Sequence, residues 1–432
     1  MRRALVLLIA GAALVAPAAS HAALKPLTLA SSKTLGPRLR ELTFNTDQLK
    51  TPQTSIRVLL PAGYDASAPR RYPVLYLLHG AIDDYKSWTD KGDAEKLTAG
   101  LPVIVVMPDA GSAGFYTDHY NFGQFGPPHW ETYHVKQLIP WIDQHFRTIA
   151  KRRGRATAGL SMGGFGAMAY PARHPQLFVA AASFSGAVDT NLPAPAGQPD
   201  FPLDGQTPYA EWGPRQTEEV RWRGHNPWDL AANLAGIALT IRTGNGNDPN
   251  GNFSDPIEYQ VHADSVSFDD KLTELGHRHV FEDYGNGTHA WPFWQKDLKK
   301  TLPWLMRVFA HPPAAPKKVT FKAIEPTWTA WGWHVALKRD VLEFSTLSDA
   351  DQAGFRLAGS GSATITTPRF YSPGRAYRVV VSGPQRASTV VGADSRGRLK
   401  ISAGLGPSNT TQQYAPAANT AVRVANVRIR PA

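Results

Sequence analysis

The chain has no cysteine among its 432 residues. Disulfides, a thiol nucleophile and a structural zinc site built on thiolates are therefore excluded, and the hydrophobic core must stabilise the fold. Long apolar runs are also scarce. The run over residues 4–16 is shorter than the roughly 20 residues that span a bilayer, and no later run is longer and equally apolar.

The amino terminus has the pattern of an export signal. Arg2 and Arg3 give a positive start, residues 4–16 are apolar, and Ser20 and Ala22 are small residues where a signal peptidase requires them. We therefore expect residues 1–22 to be a signal peptide, a mature chain beginning near residue 23, an extracellular product, and no transmembrane segment after cleavage.

The formal net charge of +11 raises the question of a nucleic-acid partner. The basic residues are scattered along the chain, and the one dense run, 151–155, precedes an apolar strand, where a solvated loop is expected. We therefore expect no nucleic-acid partner. Adhesion of an exported basic protein to an anionic cell wall or membrane surface stays open.

A proline-rich segment divides the chain. Residues 311–316 read His-Pro-Pro-Ala-Ala-Pro, and prolines at this density stop a helix and keep the chain extended. The length allows two domains, because a single domain usually takes about 100 to 250 residues. We expect a catalytic domain over residues 23–310, a linker over 311–316 and an accessory domain over 317–432.

Before the linker, short apolar runs alternate with helical stretches. Apolar runs without polar alternation are typical of strands buried on both faces, so the pattern predicts an α/β fold with a mostly parallel sheet covered by helices. The predicted strands are 74–78, 103–107, 156–160, 239–243 and 280–284.

After the linker, apolar and polar residues alternate, β-branched residues are frequent and turn residues recur, as at 363–367 and 377–381. This texture predicts a small all-β sandwich. Nothing in it indicates catalysis. We interpret Trp328, Trp331 and Trp333 as core or interdomain packing in preference to a ligand platform.

Residues 159–163 read Gly-Leu-Ser-Met-Gly, the G-x-S-x-G pattern. A nucleophile on a sharp turn between a strand and a helix has a strained backbone, and glycines on either side let the chain come close. The strand-like residues 156–158 precede the pattern and a helix of small residues follows. Ser161 is therefore the predicted nucleophile, and Pro171 should kink or shorten the helix.

A serine hydroxyl needs a base, and the base needs a carboxylate that holds it in the right tautomer. In the α/β-hydrolase fold the chain order is serine, acid, histidine. His289 follows the last predicted strand of this domain, so it is the predicted base. Asp248, just beyond strand 239–243, is the preferred acid, and Asp255 and Glu258 are the alternatives.

Two backbone amides must stabilise the developing oxyanion. The amide of Met162, which follows the nucleophile, is the first. The loop that begins Leu-Leu-His-Gly at 77–80 ends a strong predicted strand, so the amide of Ala81 is the second. His79 is expected to orient this loop. The sequence indicates no cofactor and no metal site.

Taken together, the motifs resemble those of the secreted antigen 85 mycolyltransferases and the wider esterase D group, over about residues 40–308. The motifs that carry the resemblance are Leu-Leu-His-Gly at 77–80, Gly-Phe-Tyr-Thr-Asp at 114–118, His-Trp-Glu-Thr at 129–132, Gly-Leu-Ser-Met-Gly at 159–163, Gly-Asn-Gly at 244–246 and Asn-Gly-Thr-His-Ala-Trp at 286–291. The resemblance implies an α/β-hydrolase, with Ser161 as nucleophile, His289 as base, and the amides of Ala81 and Met162 at the oxyanion.

Two departures from this family concern the acid and the acceptor. The mycolyltransferases carry an acid as glutamate a few residues after Gly-Asn-Gly, whereas the candidate favoured here is Asp248. Their loop after the first motif contains an arginine associated with sugar binding, and residues 81–84 have none. Trehalose as acceptor is therefore not implied.

Three functions are compatible with these residues: hydrolysis of a small-molecule or lipid ester, acyl transfer to a sugar or lipid hydroxyl, and cell-wall binding without catalysis. The intact serine and histidine disfavour the third. Contact with a cell wall or another polymer is expected through the accessory domain. Aromatic residues between the strands are candidates for an acyl groove or lid, with loop packing as the default. They are Phe115, Tyr116, Tyr120, Trp130, Tyr209, Trp212, Trp222 and Trp228.

Overall fold

The structure is a computed structural model that describes residues 24–64, 69–192, 210–416 and 418–432. The signal peptide expected at residues 1–22, the mature start at residue 23 and the aromatic candidate Tyr209 lie outside the described residues. No helix in the described ranges is long and apolar enough to cross a membrane.

A nine-stranded sheet forms the centre of the first domain. Its strands are β1 (Thr28–Thr34), β2 (Leu39–Asn45), β3 (Gln53–Leu59), β4 (Val74–Leu78), β5 (Ile104–Pro108), β6 (Arg155–Leu160), β7 (Ala180–Phe184), β8 (Ala238–Thr243) and β9 (His279–Asp283). Their order across the sheet is β1-β2-β3-β5-β4-β6-β7-β8-β9. Neighbouring strands in the part β5-β4-β6-β7-β8-β9 are parallel, and those in the part β1-β2-β3-β5 are antiparallel.

The predicted mostly parallel sheet is confirmed, and the reason is visible in β4. All five of its residues are buried. Val74, Tyr76 and Leu78 face one hydrophobic cluster, and Leu75 and Leu77 face another on the opposite side. A strand with two apolar faces needs a layer of helices on each side, which is what the unbroken apolar runs indicated.

The helices cover both faces of the sheet. They are α1 (Ser87–Asp90), α2 (Ala94–Leu97), α3 (Ile139–His145), α4 (Met162–Arg173), α5 (Arg215–His225), α6 (Pro256–Glu274) and α7 (Trp291–Ala310). A π-helical segment, Thr132–Leu138, leads into α3. Helix α4 packs on one face of the sheet and α7 on the other, so the central strands are shielded from water.

Pro171 does not end α4, which runs on to Arg173. A proline inside a helix leaves the carbonyl four residues earlier without its usual donor. Here that carbonyl belongs to Ala167, and the hydroxyl of Thr157 on β6 donates to it at 2.8 Å. The sheet therefore supplies the hydrogen bond that the proline removes.

The second domain begins after the proline-rich segment, between the end of α7 at Ala310 and Val319. Its strands are β10 (Val319–Ala323), β11 (Thr327–Ala330), β12 (Trp333–Lys338), β13 (Ser345–Asp351), β14 (Gly354–Gly359), β15 (Ser362–Thr366), β16 (Ala376–Ser382), β17 (Ala387–Gly392), β18 (Lys400–Gly404) and β19 (Arg423–Pro431). They form a six-stranded sheet, β10-β13-β14-β19-β16-β17, and a four-stranded sheet, β11-β12-β15-β18. The predicted all-β architecture is present.

The tryptophans of this domain pack, as interpreted from the sequence. Trp333 is fully buried between the sheets against Phe355, at 5.3 Å between ring centroids. Trp328 is buried in the same core. Trp331 instead lies against the guanidinium of Arg152 in the first domain, 5.0 Å from the ring centroid. None of the three is free as a ligand platform.

The basic run 151–155 is only partly the solvated loop that we expected, because Lys151 and Arg153 are exposed whereas Arg152 and Arg155 are not. The Arg152 side chain donates to the carbonyls of Gly236 and Pro313, and its burial lowers its pKa to about 10. Arg155 is buried and pairs with Asp143. Arg152 therefore stabilises the packing around the domain junction, and Arg155 joins β6 to α3 within the first domain.

Candidate active site

Ser161 lies on a sharp bend between β6 and α4, as the G-x-S-x-G pattern predicted. Its φ and ψ are 53° and −120°, a strained conformation for a residue with a side chain. A Cβ on Gly159 would lie 2.3 Å from the carbonyl oxygen of Gly163, and one on Gly163 would lie 2.5 Å from that of Leu78. Only glycine fits at either position, so the bend depends on both.

His289 follows β9, and its ring is held by a buried carboxylate. The Nδ1 atom lies 2.8 Å from Oε2 of Glu258, whose side chain is fully buried. The other carboxylate oxygen accepts hydrogen bonds from the amide of Gly244 at 2.7 Å and the hydroxyl of Ser185 at 2.8 Å. Since an ionised carboxylate only accepts, this contact places the ring proton on Nδ1 and leaves Nε2 as a base.

Asp248 does not reach the imidazole, so the preferred acid of the sequence analysis is corrected to Glu258, one of its two alternatives. The Asp248 carboxylate closes a turn at the surface, where it accepts from the amides of Asn250 and Asn252 at 2.8 and 2.9 Å. These hydrogen bonds, with Asn252 foremost, lower the pKa of Asp248. This side chain has the ordinary role of an Asx turn.

Asp255, the other alternative, positions both partners of this contact. It is the N-cap of α6, and its Oδ1 accepts from the amides of Ile257 and Glu258, each at 3.0 Å. Its Oδ2 accepts from the backbone amide of His289 at 2.8 Å. One carboxylate thus fixes the helix that carries Glu258 to the loop that carries His289.

Asp248 was preferred over Glu258 because the sequence does not show the path of the chain after β8. Residues 244–255 leave the strand, turn at the surface and return, so that the first turn of α6 lies under the strand end. Asp255 followed by Pro256, with Glu258 three residues after Asp255, is a recognisable helix start. That signal was available in the sequence and places Glu258 in a first helical turn.

Hydrogen bonds between neighbouring strand ends gather these groups at one edge of the sheet. The amide of Ser161 donates to the carbonyl of Phe184, at the end of β7, at 2.9 Å. The next residue, Ser185, donates to Glu258. Ser161 after β6, His289 after β9 and Glu258 in the first turn of α6 therefore lie at the carboxyl edge of the parallel strands, the edge where α/β sheets place their sites.

The loop after β4 is oriented by His79, as expected. Its Nδ1 lies 2.8 Å from the carbonyl oxygen of Gly80, and its Nε2 accepts from the amide of Ala110 at 2.9 Å. In a trans peptide the carbonyl and the following amide point in opposite directions. Holding the Gly80 carbonyl toward His79 therefore turns the amide of Ala81 away from it.

This loop lies against the nucleophile. A Cβ on Gly80 would stand 3.4 Å from Cβ of Ser161. Met162 is the first residue of α4, where backbone amides have no partner within the helix. The two amides expected at the oxyanion thus flank the bend that carries Ser161.

Most of the aromatic candidates for an acyl groove are packing residues. Phe115, Tyr116, Trp130, Trp212 and Trp222 are all buried in the core of the first domain. A different apolar set is exposed near the site, on the loops that follow β4 and β8 and on the first turn of α6. It consists of Ile82, Phe253, Ile257 and Tyr259.

A second carboxyl is buried close to Glu258. Asp297 on α7 is fully buried, and neither of its oxygens has a hydrogen-bond partner within the described residues. Burial raises its pKa to about 7, with Glu258 acting in the same direction and Arg242 opposing it. The described residues contain no group of three or more His, Asp and Glu side chains that could hold a metal ion.

Comparison with known proteins places this site in a family. The Esterase family model matches residues 50–305, more than half of the chain. A protein named as an esterase in Mycobacterium tuberculosis is 35% identical over 260 residues, which are 58% of this chain and 56% of that protein. The match therefore spans little more than half of that relative's length.

A second relative is named diacylglycerol acyltransferase/mycolyltransferase Ag85B, from Mycobacterium leprae. It is 30% identical over 275 residues, covering 60% of this chain and 81% of that protein. The S-formylglutathione hydrolase of Agrobacterium tumefaciens has a similar fold, with a TM-score of 0.52 and 20% identity over 65% of this chain and 99% of that one. The chain therefore belongs to the Esterase family of α/β-hydrolases, to which the antigen 85 mycolyltransferases are related.

Proposed function

We propose that the protein hydrolyses carboxylic esters through an acyl-enzyme on Ser161. The observation that carries this proposal is the contact between Nδ1 of His289 and the buried carboxylate of Glu258, beside the strained bend of the nucleophile. The carboxylate fixes the tautomer, so Nε2 is the ring atom that takes the serine proton.

In the first half of the reaction, Oγ of Ser161 attacks the acyl carbon while its proton passes to Nε2 of His289. The carbonyl electrons move to oxygen, and the amides of Ala81 and Met162 stabilise the resulting negative charge. When the intermediate collapses, the bond to the alcohol oxygen breaks and the alcohol leaves with the proton from His289. Water then repeats the sequence on the acyl-enzyme and releases the acid.

An apolar acyl group is supported by the exposed residues near the site. Ile82 is 74% exposed, Phe253 60% and Tyr259 59%. Phe253 and Tyr259 pack against each other, with 5.7 Å between their ring centroids. Exposed apolar patches usually mark a surface that contacts a ligand or partner, because exposing apolar area to water is unfavourable. We propose that they receive the acyl chain or the hydrophobic part of the alcohol.

Acyl transfer is the second candidate, favoured by the 30% identity with a protein named as a mycolyltransferase. It uses the same acyl-enzyme, but a sugar or lipid hydroxyl takes the place of water. Product analysis separates the two functions. Purified protein given a series of acyl esters should yield free acid alone, with or without glycerol or trehalose. A new ester with either alcohol would support the transferase instead.

The nucleophile is tested by Ser161→Ala. This variant should lose turnover of a nitrophenyl ester and keep the near-ultraviolet circular dichroism spectrum of the wild type, because alanine removes only the hydroxyl. Turnover above the background rate in a correctly folded variant would overturn the assignment.

We also propose that the protein is exported, supported by the basic start, apolar run and small residues of the first 22 positions. The test is amino-terminal sequencing of the protein recovered from outside the cytoplasm of an expressing bacterium. A mature terminus at Ala23 is expected, and a full-length chain confined to the cytoplasm would contradict export.

A further inference from the structure

Nearly all of the net charge of the chain lies in the sandwich domain. Residues 317–432 contain 16 lysines and arginines against 6 aspartates and glutamates, whereas residues 1–316 contain 30 against 29. The sandwich therefore carries +10 of the total of +11. The basic residues that seemed scattered along the chain are unevenly divided between the two domains, so the charge belongs to one module.

Part of this charge is aligned on one face of the six-stranded sheet. Inward residues of β16 and β19, such as Val379 and Ile429, fill the core between the sheets. The alternating outward residues include Arg378 on β16 and Arg428 and Arg430 on β19, of which the last two are exposed. We call these three residues the arginine face.

The strand register brings these arginines together. Arg378 lies directly opposite Arg430, and Arg428 is two residues further along the same side of β19. Neighbouring strands are about 4.8 Å apart, and every second residue along a strand recurs at about 7 Å. Like charges directly opposite each other destabilise a sheet. Three positive charges at this spacing indicate a role other than stability.

No carboxylate compensates for them within the described residues. Within the sandwich domain, ion pairs with acidic residues are formed by Arg339, Arg356 and Arg398. The guanidinium groups of the arginine face are left for an anion from outside. Arginine suits this role, because its planar fork binds a carboxylate or phosphate through two parallel hydrogen bonds.

The shape and composition of the arginine face limit the classes of partner that it can bind. Apart from Arg356 on β14, which pairs with Asp349, the outward residues around the arginines are small, polar or aliphatic, including Val380, Ser382 and Asn426, and none on β14, β16 or β19 is aromatic. Insertion into a membrane interface favours tryptophan, phenylalanine and leucine. Binding of single-stranded nucleic acid relies on aromatic stacking, and reading a duplex requires an element that enters a groove. A flat sheet face provides neither.

We propose that the arginine face binds an acidic polysaccharide, through carboxylates repeated along the sugar chain. The distances between the arginines are comparable to the repeat of a polymer with one carboxylate on each sugar. Such binding would hold the hydrolase domain close to esters within or attached to the same polymer. The surface is separate from the site around Ser161, so this proposal stands independently of the catalytic one.

The test compares polygalacturonate with its fully methyl-esterified form, which has the same backbone without the charges. Titration calorimetry with residues 23–432 carrying Ser161→Ala, which should not hydrolyse the methyl esters, should detect binding to polygalacturonate alone, weakening as salt is raised because the contacts are exposed. The variant Arg378→Gln/Arg428→Gln/Arg430→Gln should bind about ten-fold more weakly or worse, since each exposed charge contact contributes a few-fold. Its melting temperature should be unchanged or higher, because like charges have been removed.

A matched control removes the same charge from elsewhere on the sandwich. Lys338, Arg396 and Lys400 are exposed and lie outside the six-stranded sheet. Lys338→Gln/Arg396→Gln/Lys400→Gln should lose less than about two-fold in affinity, and both triple variants, with Ser161 intact, should hydrolyse a small soluble ester at the wild-type rate.

Several results would overturn the proposal. An equal loss in both triple variants would show that net charge alone is responsible. Equal binding to the methyl-esterified polymer would exclude recognition of carboxylates. Tighter binding to phosphatidylglycerol vesicles or to duplex DNA than to polygalacturonate would assign the face to a membrane or a nucleic acid. The absence of any binding at low salt would refute it outright.

Discussion

Replacing Glu258 by glutamine should nearly abolish catalysis while leaving the fold in place. The carboxylate accepts from Gly244 and Ser185 on one oxygen and from His289 on the other. A glutamine has only one acceptor oxygen. If that oxygen stays with Gly244 and Ser185, the amide NH2 group faces Nδ1 of His289 and favours the tautomer protonated on Nε2, which cannot accept the serine proton.

The size of the effect follows from this geometry. Loss of the correct tautomer, together with loss of the charge that stabilises the imidazolium, costs about 10³- to 10⁴-fold in kcat in enzymes with this constellation. That factor corresponds to about 4 to 5.5 kcal/mol of transition-state stabilisation. The fold should lose about 1–3 kcal/mol, because one buried hydrogen bond is no longer matched.

The assay is steady-state hydrolysis of a nitrophenyl ester, with Asp248→Asn as the matched control. Asp248 is half-buried at the surface and its carboxylate only closes a turn, so the control should retain kcat within about two-fold. Denaturant unfolding of both variants separates a catalytic loss from a folding defect. The reverse pattern, with full activity in Glu258→Gln and a large loss in Asp248→Asn, would refute the reasoning and restore the original expectation from the sequence.

Two further predictions concern stability. Burial raises the pKa of Asp297 to about 7, so between about pH 4 and pH 7 the folded state retains a proton that the unfolded state has lost, and stability falls as the pH rises. Asp297→Asn should remove this fall. Its free energy of unfolding, measured by guanidinium titration, should therefore rise relative to that of the wild type by a few kcal/mol between pH 4 and pH 8. A difference between the two proteins that does not grow with pH would contradict a buried protonated carboxyl. Gly163→Ala places a Cβ 2.5 Å from the carbonyl oxygens of Leu78 and His79, so the free energy of unfolding should fall by about 1–3 kcal/mol or more. As a control, a Cβ at Gly100 meets nothing within 4 Å, so Gly100→Ala should change the free energy of unfolding by less than about 0.5 kcal/mol.

The sequence predicted those parts of the fold that have a local cause. Strand β4 was placed at its observed bounds because two-sided burial leaves an unbroken apolar run, and β6 and β8 were placed within one residue at their starts. Strand β7 was not predicted, because its residues, Ala-Ala-Ala-Ser-Phe, are mostly alanine, which favours helices over strands. Ser161 and His289 were predicted as site residues from local signals as well, a turn motif and the end of a strand, and both lie at the carboxyl edge of the sheet.

What the sequence did not predict depends on contacts between distant segments. Glu258 lies fifteen residues beyond the end of β8, and only the return of the intervening loop brings it to His289. Arg378 and Arg430 are 52 residues apart and become neighbours only through the pairing of β16 with β19. Arg152 looked like part of a solvated run because its partners, Pro313 and Trp331, belong to the segments after α7.

The central claim is that Ser161 is a nucleophile activated by His289, and mass spectrometry of the intact protein after treatment with a fluorophosphonate tests it most directly. The reagent reacts covalently with an activated serine, so one adduct per chain is expected, with peptide mapping placing it on Ser161. His289→Gln should slow the labelling by orders of magnitude without shifting its position. An unlabelled wild type, or an adduct on another residue that persists in Ser161→Ala, would contradict the claim.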